Sequence, residues 1–264
     1  MLLGELSGEA GAPFYEKVVK EHAATRFAGS ARYQLAYWAG RTGKLDEGLA
    51  HAEALLKELP AADKERAELR RKALFAASDF AFQKKDYARA EGFLKEYAAL
   101  PEAAQDSQTV QLGLVRLRLA WCRHHAGDPA GAAKELDAAL PKEPKGGLRA
   151  EMLYLRGLSR LKLLETPKAL EDFKALLDEA PQSSFAAYAA YEAARVLYEA
   201  GQAAEALPWL DAPLKKPPSA DAPLYTDTLL LRAKANYKTG KFAEALTDAD
   251  ALLKRSDLGE RAAA

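Results

Sequence analysis

Gly240-Lys241-Phe242-Ala243-Glu244-Ala245-Leu246 is a short turn that opens an alanine-rich amphipathic run. The chain writes this pattern six times. The other five are Gly43-Lys44-Leu45-Asp46-Glu47-Gly48-Leu49, Lys85-Asp86-Tyr87-Ala88-Arg89-Ala90, Gly127-Asp128-Pro129-Ala130-Gly131-Ala132, Glu165-Thr166-Pro167-Lys168-Ala169-Leu170 and Gly201-Gln202-Ala203-Ala204-Glu205-Ala206-Leu207. An apolar helical stretch precedes each turn. Glycine at the turn tolerates the positive φ that closes a helix. Lys85 and Leu164 stand where the other four copies have glycine. A small residue after the turn (Gly48, Ala90, Ala132, Ala169, Ala206, Ala245) lets two helices approach closely. Most of the second stretches end at proline, which cannot continue a helix: Pro60, Pro101, Pro144, Pro181 and Pro217-Pro218. The last copy ends at Asp257 without one.

Working outward, the 264 residues hold 57 alanines and 41 leucines against 5 valines and no isoleucine. Strands need β-branched residues, whereas alanine and leucine are strong helix formers, so the composition predicts an all-α protein. Lys+Arg 38 balances Asp+Glu 38, which leaves no global basic field to hold nucleic acid or an anionic membrane. The single cysteine rules out an intramolecular disulfide and any multi-cysteine metal site. The start, Met1-Leu2-Leu3-Gly4-Glu5, has no basic region and carries an early acid, unlike a secretory signal. No run reaches the roughly 18 apolar residues of a membrane span, so no direct membrane insertion is expected. The compartment stays open between cytoplasm and a bacterial envelope.

The paired stretches resemble the tetratricopeptide repeat, a helix–turn–helix unit of about 34 residues, in a bacterial-type array. The small residue mid-way along the first helix is Ala36, Ser78, Ala120, Gly157, Ala194 and Ala233; turn, second-helix small residue and closing proline follow in order. The match covers nearly the whole chain. It divides residues 1–264 into a partial repeat (1–28) and six full repeats, at about 29–70, 71–112, 113–149, 150–186, 187–225 and 226–258. Phe14 to His22, followed by Thr25-Arg26-Phe27-Ala28, reads as a lone second helix. Successive turns lie 37 to 42 residues apart, and the surplus falls between repeats, as in Ala61 to Leu69. The resemblance implies a single right-handed superhelical solenoid of about thirteen helices. Ser256-Asp257-Leu258-Gly259-Glu260-Arg261 looks like the start of a further helix, as in a segment of a longer array.

In such arrays the first helices line a concave groove. Carrying the groove-facing positions over gives Tyr33, Phe75, Leu117, Tyr154, Tyr191 and Leu230 as one series. Tyr37, Asp79, Trp121, Leu158, Arg195 and Lys234 follow one turn on, then Gly40, Phe82, His124, Leu161, Tyr198 and Tyr237. The offsets of four and seven put the three series on one stripe of each helix. Its aromatics pair large contact area with polar tips, the residue types favoured at binding hot spots. The alternative for each of them is packing between neighbouring repeats. A known subclass clamps a C-terminal carboxylate with Lys, Asn and Arg; here Tyr33 and Tyr37 hold the Lys and Asn places, so that specificity is not expected.

Catalytic chemistry has no recognisable carrier. The chain lacks HExxH, CxxC, GxxxxGK[ST] and Gly-x-Ser-x-Gly. His124 and His125 point about 100° apart on a helix and cannot chelate through one face. Cys122, between Trp121 and Arg123, reads as a buried small hydrophobe. Glu47, Glu91, Glu135, Glu171, Glu205 and Glu244 recur on the second helices and read as solvated outer surface and helix pairing. So does the basic cluster Lys64-Glu65-Arg66 with Arg70-Arg71-Lys72, through its interleaved acids. The expectation is a non-catalytic scaffold with no metal and no cofactor, binding a peptide or helix of a protein partner and no nucleic acid. The alternatives are an assembly module of a longer array or larger complex, and an envelope accessory whose aromatics stack on peptidoglycan sugars.

Overall fold

The computed structural model describes residues 11–59, 66–100, 109–215 and 222–254. Thirteen α-helices run through them, with no strand among the described residues. A first helix, α1 (Ala12–Glu21), is followed by six hairpins: α2 (Arg26–Arg41) with α3 (Leu45–Glu58), α4 (Ala67–Gln83) with α5 (Tyr87–Ala98), and α6 (Thr109–His125) with α7 (Pro129–Ala139). Then come α8 (Gly147–Lys162) with α9 (Thr166–Glu179), α10 (Ala186–Glu199) with α11 (Ala203–Lys215), and α12 (Ala222–Lys238) with α13 (Phe242–Leu253). The protein is all-α, as the composition predicts, and helices pack on their chain neighbours from α1 to α6 and from α8 to α13. Thr25–Ala28, expected beside α1, instead opens α2. Pro60, Pro101, Pro217-Pro218, the insert 61–65 and the segment 256–261 lie outside the described residues.

All six turns close in one way. The residue after the first helix's last turn adopts a positive φ: Gly43 75°, Lys85 61°, Gly127 83°, Leu164 60°, Gly201 81° and Gly240 79°. The next backbone N–H then donates to the carbonyl five residues back. Lys44 reaches Ala39 at 2.8 Å, Asp86 Ala81 at 2.9 Å, Asp128 Arg123 at 2.8 Å, Glu165 Arg160 at 2.9 Å, Gln202 Leu197 at 2.9 Å and Lys241 Asn236 at 2.8 Å. This is the Schellman closure, which satisfies a carbonyl the helix end would leave unpaired. Lys85 and Leu164 make it without glycine, at a conformational cost of about 1–2 kcal/mol each.

The chain divides into two compact units, Met1–Glu135 and Leu136–Ala264, with the division inside α7. In the first, Ala36, Leu49, Ala52, Ala77 and Phe80 form one core cluster. Leu74, Ala81, Ala90, Leu94, Tyr97, Leu100, Val115, Leu119 and Cys122 form another. The small residues work as expected: Ala36, Ala90 and Ala120 are fully buried, and Phe80 fills the room beside Gly40 and Gly48. In the second unit Ala194, Leu197, Ala206, Leu210 and Leu231 form a cluster. Phe173 fills the space that Gly157 leaves.

Two surface expectations are overturned. Arg70 and Arg71, read as solvated, are each only 8% exposed. Arg70 caps the end of α3, donating to the carbonyls of Leu56 (3.2 Å) and Leu59, and pairs with Glu96 of α5. Arg149 repeats the device at the start of α8, with the carbonyl of Glu143 at 3.4 Å and Glu179 Oε2 at 2.7 Å. A cation at a helix C-terminus meets the negative end of its dipole, and that draws these side chains inward. Glu91 and Glu135 also leave the solvated class: Arg123 bridges them, 2.9 Å to Glu91 Oε1 and 3.1 Å to Glu135 Oε1. Glu47, Glu171, Glu205 and Glu244 are exposed as expected.

The second unit carries a recurring ionic link. Arg156 grips Asp172 of its own hairpin at 2.6 Å and Asp137 at 2.8 Å. Two hairpins later, Arg232 grips Asp248 at 2.6 Å and Asp211 at 3.1 Å. Each arginine precedes the small first-helix residue, Gly157 or Ala233, and each link joins a second helix to the next hairpin. Asp172 and Asp248 are buried, and each has a further partner: Arg160 reaches Asp172 at 2.8 Å, and Asn236 Nδ2 donates to Asp248 at 3.3 Å.

Candidate functional site

The first unit holds a pocket of about 520 Å³ on the first helices α2, α4 and α6. Tyr33, Tyr37, Gly40 and Arg41 come from α2, on offsets of three and four that keep them on one face. Glu68, Arg71, Lys72, Phe75, Ala76, Asp79, Phe80 and Gln83 come from α4, and Leu114 and Arg118 from α6. Tyr97 reaches in from α5. The middle is aromatic: Tyr33 and Phe75 are half-buried, while Tyr37 is exposed, with its ring edge-on to Trp38 at 5.5 Å. Burial raises the hydroxyl pKa of Tyr33, helped by neighbouring Tyr37, and burial also raises that of Tyr97, so both are donors at neutral pH.

Four cations and two carboxylates line this aromatic patch. Both carboxylates are engaged. Glu68 takes Arg71 and, at 3.5 Å, Lys72; Asp79 takes Arg118 at 2.9 Å and Gln83 Nε2 at 2.9 Å. The Arg118 guanidinium also lies 4.4 Å from the centre of the Phe75 ring. Arg41 donates to the Tyr37 hydroxyl at 3.3 Å and has no carboxylate partner among the described residues. No nucleophile–base pair is assembled here; the chemistry on offer is apolar contact, hydrogen bonding and attraction of negative charge.

Five of the eighteen expected groove positions therefore meet in one pocket: Tyr33, Tyr37, Gly40, Phe75 and Asp79. Phe82 and Trp121 lie in a separate aromatic group of the same unit. There His125 is stacked between Tyr87 (4.8 Å) and Trp121 (5.4 Å), with Phe82 5.5 Å from Tyr87. His124, expected on the groove stripe, is buried, as is Leu117. In the second unit Tyr154 packs against Phe185 at 5.3 Å, and burial pushes its hydroxyl pKa up to about 12. Tyr191 is half-buried, and Arg195 is held between Glu192 (2.6 Å) and Glu199 (2.9 Å) of its own helix. Lys238 sits 4.4 Å from the centre of the Tyr198 ring, and Lys234 and Tyr237 are exposed.

The pocket residues absent from the expected groove series are Arg41, Glu68, Arg71, Lys72, Ala76, Phe80, Gln83, Tyr97, Leu114 and Arg118. Arg41 and Gln83 were within reach, four residues on from Tyr37 and Asp79 along the same stripe. Tyr97 gives no periodic signal, since it arrives from a second helix. No group of three or more metal-ligating side chains occurs among the described residues, and none of their helices is long and apolar enough to cross a membrane.

This arrangement of hairpins with one small-residue register defines a tetratricopeptide-repeat fold. Residues 154–221 match the tetratricopeptide repeat family directly. The fold is shared with the crystal structure of BtubC from P. vanneervenii, at TM-score 0.62 and 16% identity over 80% of this chain and 90% of that one. PilW, titled a widely conserved type IV pilus biogenesis factor, aligns at TM-score 0.61 and 18% identity over 89% of this chain and 99% of its own. YrrB, titled a TPR protein with an unusual peptide-binding site, aligns at TM-score 0.57 and 18% identity over 79% and 95%. Among curated proteins no sequence matches. The fold of the chain is that of tetratricopeptide-repeat proteins, and residues 154–221 carry the family's repeat.

Proposed function

We propose that the protein is a non-catalytic interaction module that receives a peptide or helix of a partner protein on the first-helix face of its N-terminal unit. The observation that carries this is the pocket itself, where exposed and half-buried aromatics from successive first helices meet beside four cations and two carboxylates. Its volume lies in the range of sites that hold a few side chains. The fold supports the reading, and so does YrrB, a protein of this fold described as having a peptide-binding site.

The test is a peptide-display selection on the immobilised protein, with the best binders titrated against wild type, Tyr37→Ala and Tyr188→Ala. Both tyrosines are exposed, and only Tyr37 lines the pocket. Tyr37→Ala should weaken binding by at least about tenfold, as at a hot spot, and Tyr188→Ala should not. Equal effects, or no selectable binder, contradict the proposal. A second reading, assembly with other copies, has its own observation: Tyr237, Phe242, Leu246 and Leu253 are exposed on the last hairpin. Light scattering that shows a concentration-independent monomer removes it.

A further inference from the structure

The pocket's charges are ordered along the helix axes. Arg71 and Lys72 lie near the first turn of α4, and Arg41 in the last turn of α2. From Arg71 to Gln83 the α4 face runs about 18 Å at 1.5 Å per residue. Tyr33, Tyr37 and Phe75 occupy the stretch between the cationic rims. Glu68 and Asp79 are already engaged within the pocket, whereas Arg41 has no carboxylate partner among the described residues and Lys72 shares Glu68 with Arg71. A ligand completes this arrangement by placing negative charge at the two rims and an apolar side chain between them. A ligand that spans the α4 face from Arg71 to Gln83 needs about five or six residues of extended peptide at ~3.3 Å each.

We infer that the pocket selects a short acidic segment of a partner protein, in which an aromatic or leucine side chain is flanked on both sides by aspartate or glutamate. This deepens the peptide-groove reading and rests on it. The carboxylates are internal side chains, since one chain terminus could serve only one rim. A nucleic acid is disfavoured because the two carboxylates leave the four cations an excess of only two charges, too few to track continuous phosphates.

The experiment is fluorescence anisotropy with end-blocked labelled peptides on the full chain. One carries phenylalanine between pairs of acidic residues. A second replaces every acid by its amide, a third replaces them by lysine, and a fourth replaces phenylalanine by alanine. The wild type should bind the acidic peptide at least about tenfold more tightly than its amide or alanine analogue, with a preference that shrinks as salt rises. Arg41→Glu combined with Lys72→Glu changes two exposed side chains and should turn the preference toward the lysine peptide. Equal binding of acidic and amide peptides by wild type overturns the inference. If neutral or basic peptides bind and depend on Tyr37, the ligand class is wrong while the groove reading stands. If no peptide binds, both fall. Displacement of the acidic peptide by single-stranded RNA at equal concentration would assign the pocket to nucleic acid instead.

Discussion

Gly157→Ala tests the close approach on which the hairpins depend. A Cβ built at Gly157 falls 2.4 Å from Phe173 Cε1, 2.8 Å from Cζ and 2.9 Å from Cδ1. Ordinary carbon contacts are about 3.5–4.0 Å, so something must move by about 1 Å. Phe173 is fully buried, so its ring cannot swing out into solvent. Overpacking of this kind costs about 1–3 kcal/mol. Alanine in a helix interior recovers about 1 kcal/mol relative to glycine, so the net loss is about 0–2 kcal/mol. The control is Gly92→Ala in α5, where nothing lies within 4 Å of the added carbon. That change should stabilise by up to about 1 kcal/mol through propensity alone. The difference between the two variants isolates the packing term at about 1–3 kcal/mol. Urea unfolding followed by circular dichroism reads it as shifts of opposite sign in the midpoint. Equal stabilisation by both substitutions would refute the claim that Phe173 occupies the glycine's place.

Three further outcomes are expected. Leu164, 89% exposed at φ 60°, gains nothing from its side chain, so Leu164→Gly should stabilise by about 1 kcal/mol; an unchanged melting curve would mean the turn relaxes. The Cys122 thiol is fully buried and burial pushes its pKa up to about 12, so a thiol reagent should label it only in denaturant; prompt labelling of the native protein counts against its placement. Tyr154 is raised in the folded state to about 12 from an ordinary value of 10.0, so the unfolded chain loses that proton first. Its contribution to stability is complete below pH 10 and is lost as pH rises toward 12; Tyr154→Phe should therefore flatten the alkaline fall in melting temperature, and an identical fall in both proteins would count against the burial argument.

The fold was legible because its determinants are local. Six turns at near-constant spacing, small residues at Ala36, Ser78 and Ala120, and the scarcity of β-branched residues each point to helical hairpins. Even the departures were visible: Lys85 and Leu164 stand out in sequence and prove to be the two non-glycine residues at positive φ among the described residues. The site was legible only in part. Helical periodicity places Tyr33, Tyr37, Phe75 and Asp79 on one stripe, but says nothing of which charges are spent on one another. Arg70 and Arg71 look solvated in sequence because they neighbour Glu65 and Glu68, yet Arg70 finds its partners on α3 and α5. Glu91 misleads in the same way, since its arginine lies on the next hairpin. Partnerships between hairpins have no fixed sequence spacing, and so they escape a reading by period.

The central claim, that the first-helix face of the N-terminal unit receives a peptide, is tested most directly by hydrogen exchange with and without a selected peptide. Protection should appear over the faces bearing Tyr33 to Arg41, Lys72 to Gln83 and Leu114 to Arg118, and leave α3 unchanged. It should vanish for Tyr37→Ala at the same peptide concentration. Protection confined to second helices, or to the last hairpin around Phe242 and Leu246, would place the ligand elsewhere and contradict the account.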